Sequence, residues 1–288
     1  MIKRISLKNI EIPNHFPRDV ENNLPGCWKH QLTEWRNLPE SVELIRDELC
    51  NYGCVLIKDF DIFGLNMSLK RNIFLGLCSC IGIPVEHNLG ETDYIWDIRP
   101  RENIASFPTF SEHNLEAPPH TDSQYRIDPE TYISLFVLER ARCGGGKTTV
   151  LRFADIINTL QETIEGRKCL RILEHELFPF AVPSIFSKDR DNVHLIFAPI
   201  ITEGNNIRYR FDTIQQGLRH GKSLERDNTM KIWALNFFRD HIENHSSTMS
   251  LSLANGTILF LNNQRVLHGR TSFTDPNRHI LRIRMNNP

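Results

Sequence analysis

His120, Asp122 and His268 have the side-chain types and the settings that could hold a metal ion. The first two close the run Ala117-Pro118-Pro119-His120-Thr121-Asp122, and the third ends an ordered stretch that opens with Asn255-Gly256 and finishes in Leu267-His268-Gly269-Arg270. Two imidazoles and one carboxylate can occupy one face of an iron(II) ion and leave the opposite positions open. In an extended segment residues i and i+2 face the same side, so His120 and Asp122 can reach one ion together. Pro118-Pro119 forces an extended approach to them. His241-Ile242-Glu243 repeats the spacing inside a predicted helix, where i and i+2 diverge, and serves as a control. Ten residues past His268 comes Arg278, and then Arg282. A guanidinium pairs bidentately with a carboxylate, so this pair offers an anchor for an anionic co-substrate. A zinc hydrolase can use the same three ligands with a water, but has no need of the two arginines.

Placing those residues requires a scaffold of short strands. Residues 41–52 put Val42, Ile45 and Leu49 on one helical face with Ser41 as N-cap, and Gly53 ends the helix. Cys54–Phe60 reads as a buried strand and residues 66–80 as a second helix. Further β-type runs fall at Tyr132–Leu138, Thr148–Arg152, His194–Ile201, Ile207–Phe211, Thr257–Leu261 and His279–Met285, with helical insertions at Ala154–Glu165 and Asp227–Asn244. Many short strands with turn signals between them suggest a barrel or jelly roll rather than alternating βαβ units. On a strand, Arg278 and Arg282 would both point inward, with Arg284 on the same face.

The bulk properties narrow the class. No repeat or long linker divides the 288 residues, so one domain spanning 1–288 is expected. A formal net charge of -1 gives no electrostatic reason to expect nucleic acid or an anionic membrane as partner. No run approaches the roughly 18 apolar residues of a membrane span. Met1–Lys8 lacks the apolar core of a secretory signal. The seven cysteines form no Cys-x-x-Cys pair and are odd in number, which favours a reduced, cytoplasmic setting. The sequence leaves the oligomeric state open.

Three stretches carry a family likeness: His120-Thr121-Asp122-Ser123-Gln124-Tyr125-Arg126, Cys143-Gly144-Gly145-Gly146-Lys147-Thr148-Thr149, and Asn255 to Arg284. In them the chain resembles the taurine dioxygenase/clavaminate synthase-like group of iron(II)/2-oxoglutarate-dependent oxygenases. The resemblance implies a mainly β fold with flanking helices around a double-stranded β-helix (jelly-roll) core. It implies iron(II) on His120, Asp122 and His268, with 2-oxoglutarate and O2 as co-substrates. Arg278 would take the C5 carboxylate and Arg282 would lie nearer the C1 carboxylate or the substrate, although the two roles can exchange. The threonine that touches 2-oxoglutarate would be Thr148, or failing that Thr149. Related halogenases lack the carboxylate, so Asp122 argues against halogenation.

The reaction so implied is oxidation, most simply hydroxylation, of an unactivated C–H bond in a small polar, amino-acid-like metabolite, with release of succinate and CO2. Substrate candidates are Tyr125, Arg126, Arg210, Asp212 and Arg270, with Arg208 beside Arg210. On a strand Arg208, Arg210 and Asp212 would share a face, and an arginine with an aspartate would suit a zwitterion. Asp212 would equally well neutralise one of the arginines. A jelly-roll protein that binds metal or carboxylate without turnover is the non-enzymatic alternative. A sulfonate, a betaine or a carrier-bound intermediate are alternative substrates.

Overall fold

The structure is a computed structural model that describes residues 2–8, 32, 35, 37–60, 62, 64–86, 93–101, 109–183, 193–220 and 225–288. In chain order the elements are β1 (Lys3–Ser6), α1 (Leu38–Asn51), β2 (Cys54–Lys58), α2 (Met67–Ile81), β3 (Ile83–Val85), β4 (Trp96–Ile98), β5 (Ala117–His120), β6 (Tyr132–Glu139) and β7 (Thr148–Arg152). Then follow α3 (Phe153–Gln161), α4 (Ile164–His175), β8 (Phe178–Ala181), β9 (Leu195–Ala198), β10 (Ile201–Thr202), β11 (Asn206–Ile207), α5 (Phe211–His220) and α6 (Glu225–Glu243). The chain closes with β12 (Met249–Leu251), β13 (Ile258–Asn262), β14 (Val266–Arg270) and β15 (His279–Asn286).

Two sheets carry the fold, a mainly β architecture with helices on the outside. The larger runs β1-β2-β13-β6-β15-β3, with β4 also on β15, and the smaller runs β12-β7-β14-β5. Alternation along the strands assigns each face. Ile258 and Phe260 of β13, Phe136 and Leu138 of β6, and Leu281, Ile283 and Met285 of β15 pack with α1 and α2 residues such as Ile45, Leu49, Ile73 and Phe74. The intervening residues, Leu259, Leu261, Leu135, Val137 and Ile280, meet Val150 and Val266 of the smaller sheet. On the far side of that sheet, Leu151 and Leu267 pack with Ile156, Leu173, Leu235 and Phe238 of the later helices. Fully burying each such side chain is worth about 1.5–3 kcal/mol, so the alternation fixes register firmly. It also directs His268, Arg270, Thr148, Arg282 and Arg284 into the space between the sheets.

Several elements depart from the sequence reading. Helix α1 starts at Leu38, behind Asn37 in a left-handed conformation and Pro39 in its first turn, so Ser41 is not its N-cap. The single helix expected over Ala154–Glu165 is two, because the Thr163 hydroxyl caps a new one by accepting from the Gly166 amide. The strand expected over His194–Ile201 is divided between β9 and β10. Ile207–Phe211 is not a strand: pairing stops at Ile207, and Phe211 begins α5. Apolar Ile207, Tyr209 and Phe211 alternate as in a strand, but residues 208–210 make isolated backbone bonds to Ile200 and Thr121 and form no ladder with any described strand. Asp212 therefore sits in a helical first turn and does not share a strand face with Arg208 and Arg210.

Cys50, Cys54, Cys78, Cys80, Cys143 and Cys169 are free thiols, and Cys27 lies outside the described residues. No described helix is long and apolar enough to cross a membrane.

Strand β14 must pass close to both neighbours. A Cβ on Gly269 would meet the Ala117 carbonyl oxygen and the Thr149 hydroxyl, both at 2.6 Å. Gly269→Ala should therefore destabilise the fold by about 1–3 kcal/mol, as overpacking does. Urea unfolding measures this, and a change under about 0.5 kcal/mol would show that β5 and β7 can separate freely.

Candidate active site

Strands β5 and β14 run antiparallel with His120 opposite His268, and the two ring centroids are 4.3 Å apart. The pairing slips by one residue between His268 and Arg270, where the amide-poor Pro118-Pro119 lies opposite. Such a bulge suits a segment that cannot donate to the ladder, and it re-aims the strand end. Asp122 follows just past β5. One ligand atom from each of His120, Asp122 and His268 falls within 4.8 Å of the others, and all three residues are buried. No other group of three or more His, Cys, Asp or Glu side chains converges in this way among the described residues.

The hydrogen bonds assign a role to each donor. His120 Nδ1 is 2.8 Å from the Pro118 carbonyl. That oxygen can only accept, so Nδ1 carries the proton and Nε2 presents its lone pair. Nε2 faces Asp122 Oδ1 at 3.8 Å, while Asp122 Oδ2 accepts from Arg282 Nη1 at 2.8 Å. His268 Nδ1 is buried without a hydrogen-bond partner among the described residues. Burial, and then the neighbouring His268, hold the His120 imidazole well below the ordinary histidine range, against the pull of Asp122. Burial likewise lowers His268. For Asp122 burial acts upward, but Arg282, His268, His120 and Arg284 together hold it well below the usual carboxylate range. Two neutral imidazoles and an ionised carboxylate are the states a metal requires. An unpaired ring nitrogen, a free lone pair and a half-anchored carboxylate fit iron(II) with positions to spare.

Asn263 holds this corner, and its role was missed in the sequence. Its Oδ1 accepts from the Asp122 amide at 2.7 Å, and its Nδ2 donates to the carbonyls of Asp122 (3.0 Å) and Glu130 (2.9 Å). The Asn262-Asn263 pair was visible as a polar corner, but nothing in its spacing pointed to Asp122. Next to it Ser123 adopts φ 56°, and its hydroxyl accepts from Arg284 Nη1 at 2.6 Å. Asn263→Ala should cost about 2–4 kcal/mol, at roughly 1 kcal/mol per buried hydrogen bond plus the unmet groups left behind. Chemical denaturation would register it, and a loss below about 1 kcal/mol would mean the corner is held without Asn263.

Arg278 lies just before β15, buried, with Nη1 lacking any hydrogen-bond partner among the described residues. Its guanidinium sits 5.0 Å from the Phe273 ring centroid, and a Cβ on Gly146 (φ 68°) would come within 3.1 Å of its Nε. The glycine turn is thus required for close approach to the arginine. Burial, and then Arg270, bring the Arg278 pKa down to about 9, which leaves it cationic at neutral pH. Thr148 lines the same cavity, with Val137, Gly146, Leu253 and Ile280. Thr149 points the other way, against Gly269. On β7, Thr148 is two residues from Val150, the partner of His268, or roughly 7 Å along the strand. A buried guanidinium with an unmet donor is costly unless an anion meets it, so the charge at this point favours an anion.

A family model described as taurine catabolism dioxygenase TauD, TfdA family matches residues 18–284. The chain belongs to this family. It is accordingly a 2-oxoglutarate-dependent non-haem iron dioxygenase, with iron(II) as cofactor and 2-oxoglutarate and O2 as co-substrates. No curated protein matches it in sequence. Among solved structures, an asparagine oxygenase in complex with Fe(II), 2S,3S-3-hydroxyasparagine and succinate is similar over 91% of this chain and 83% of that one, with 15% identity and a TM-score of 0.72. The non-heme iron oxygenase OrfP, in complex with Fe and alpha-ketoglutaric acid, is similar over 92% and 84%, with 16% identity and a TM-score of 0.62. The PvcB protein from Pseudomonas aeruginosa is similar over 88% and 84%, at 16% identity and a TM-score of 0.56. At these identities the likeness is one of fold.

In this dioxygenase most of the substrate candidates have protein partners. Tyr125 is buried and hydrogen-bonded to Arg284, and Arg126 pairs with Glu130 at 2.7 Å. Arg208 donates to the carbonyls of Arg126 and Ile127, and Arg270 to those of Phe110, His113 and Leu115. Arg282, expected near the co-substrate or substrate, is paired with Asp122. Arg210 and Asp212 neutralise each other through two hydrogen bonds of 2.8 and 2.7 Å. The Arg210 guanidinium lies 3.9 Å over the Phe110 ring, which packs edge-on to His120 at 4.7 Å. Arg210 and Asp212 are thus the candidates placed beside the metal ligands, through Phe110. The control pair behaves as a helical one: His241 Nε2 is 2.8 Å from the Thr159 hydroxyl and joins no carboxylate cluster.

Proposed function

We propose that this dioxygenase hydroxylates an unactivated C–H bond of a small, polar, amino-acid-like metabolite, releasing succinate and CO2, on a double-stranded β-helix core formed by its two sheets. One observation carries the reading: three convergent metal-ligand atoms lie one short strand segment away from a buried arginine with an unmet donor. His120 through Nε2, Asp122 through Oδ1, and His268 would hold iron(II). Arg278 and Thr148 would take the distal carboxylate of 2-oxoglutarate. Bound together, metal and co-substrate supply the oxidising power drawn from O2; the protein supplies position and a dry site.

The chain's own residues account for that second part. The Pro118 carbonyl fixes the tautomer and tilt of His120, and Arg282 holds Asp122 by the oxygen turned away from His120. Val137, Leu253 and Ile280 keep water from Arg278, which strengthens its hold on a carboxylate. Arg210 and Asp212 would exchange their mutual pairing for the carboxylate and ammonium of a zwitterion. The amino-acid reading is supported by neighbours whose complexes contain 3-hydroxyasparagine and (3S)-hydroxy-L-Arg. A sulfonate is the second reading, favoured by the taurine description of the family.

The test is 2-oxoglutarate decarboxylation with added iron(II) and ascorbate across free amino acids, sulfonates, betaines and neutral lipophiles. Stimulation by an amino acid is expected. Stimulation by neutral lipophiles alone would sink this substrate class, and silence from every free amino acid would favour a carrier-bound substrate.

A further inference from the structure

Strand β5 is the edge of the smaller sheet, only four residues long, and two of those are prolines. Among the described residues it has one strand neighbour to hold it, β14, and the ladder between them is interrupted at the bulge. Yet it must present His120, and Asp122 beyond it, within reach of His268 before any metal arrives. Something outside the sheet has to fix its two ends.

Two arginines, Arg270 buried and Arg208 half-buried, are bound there. On the upstream side, Arg270 Nη1 donates to the Phe110 carbonyl at 2.9 Å, and Nη2 donates to those of His113 (2.9 Å) and Leu115 (2.5 Å). On the downstream side, Arg208 Nη1 donates to the Arg126 carbonyl at 3.1 Å and Nη2 to the Ile127 carbonyl at 2.8 Å. We propose that Arg208 and Arg270 are positioning residues for the metal centre, bracing from both sides the backbone that presents His120 and Asp122. The proposal rests on the reading of His120, Asp122 and His268 as metal ligands.

Three features favour bracing over general packing. Among the described residues neither arginine forms an ion pair; their hydrogen bonds go to backbone carbonyls on the two segments flanking β5. Arg270 is buried and Arg208 half-buried, so each guanidinium gives up hydration in order to hold those carbonyls. Each is also rooted beside the ligands. Arg270 lies two residues from His268 on β14. Arg208 precedes Tyr209, whose carbonyl accepts from the Thr121 amide at 2.7 Å and whose amide donates to the Thr121 hydroxyl at 3.0 Å. The segment held by Arg270 sets Phe110 against the His120 ring. A carbonyl clamp of this kind needs the forked geometry of arginine, which lysine lacks.

Cobalt(II) binding to the full-length metal-free protein tests this without turnover. Arg208→Gln and Arg270→Gln should each weaken cobalt(II) affinity by about 10–100-fold, as loss of groups supporting metal ligands typically does. Arg270→Lys should fall between Arg270→Gln and wild type. Arg46→Gln is the control: Arg46 also donates to a backbone carbonyl, that of Cys80, but between α1 and α2. It should lower Tm and leave cobalt(II) affinity unchanged. Wild-type affinity in both glutamine variants, with Tm lowered, would reduce the two arginines to packing and overturn the proposal. Should a variant fail to fold, amide hydrogen exchange on wild type decides. Cobalt(II) should slow exchange across residues 110–116 and 123–128, and protection confined to the ligands and β14 would contradict the bracing. If wild type bound no cobalt(II), the metal reading itself would fall and this proposal with it.

Discussion

Alanine at His120 or His268 should abolish iron-dependent turnover and leave a folded protein. Both rings sit at the rim of the space between the sheets, where they touch each other and where His120 also meets Phe110. The loss of a ligand should exceed the 10–100-fold typical of residues that merely support ligands. Asp122→Ala should abolish turnover too, but with a different signature. Asp122 and Arg282 have side chains only 11% exposed, and removing one partner of a buried pair costs about 3–5 kcal/mol. The aspartate variant should thus be the least stable of the three. Succinate formation with iron(II) at saturation, set beside urea unfolding, separates the two effects. Near-normal turnover in any one variant would remove that residue from the metal site.

The second large effect is expected at Arg278. Arg278→Lys should raise the KM for 2-oxoglutarate about ten- to hundred-fold, the equivalent of one charged hydrogen bond of roughly 1.5–3 kcal/mol. Lysine keeps the charge but loses the fork, and its ammonium is harder to desolvate. The cavity around Arg278 has Lys147 and Arg140 on its lining as well, so the net charge offered to a carboxylate changes little. A rise in KM with kcat retained would therefore report geometry. An unchanged KM for 2-oxoglutarate, with weakened binding of the primary substrate, would hand the anchor to Arg282, whose present partner is Asp122.

Much of the site was legible because it is written in local spacing. A histidine and aspartate two apart in an extended run, a distal histidine, and two arginines four apart need little more than the period of a strand to be read, although Arg278 itself stands just before β15. Thr148, expected from the family resemblance, lines the cavity that holds Arg278, and its companion Thr149 faces the other way. The roles of Asn263, Arg208 and Arg270 were not, because their partners lie 81 to 160 residues away in segments with no regular structure. No periodicity records such contacts. The strand expected at Ile207–Phe211 failed instructively. Its alternation is real, with Ile207 and Tyr209 buried and Arg208 and Arg210 turned elsewhere, but extended chain becomes a strand only with a neighbour. The split after Gln161 turned on a single capping threonine within a continuous helical pattern.

On the proposed reading, His120, Asp122 and His268 would hold iron(II) with positions open for a chelating 2-oxo acid that Arg278 anchors. An anaerobic titration of the metal-free protein with iron(II) and 2-oxoglutarate, followed by visible absorption, tests it most directly, because a 2-oxo acid chelated to iron(II) gives a charge-transfer band that neither component shows alone. Wild type should develop the band at one equivalent of iron, His268→Ala should not, and Arg278→Lys should need about ten- to hundred-fold more 2-oxoglutarate to reach it. A wild-type protein that takes up iron without the band, or a His268→Ala variant that keeps it, would contradict the account.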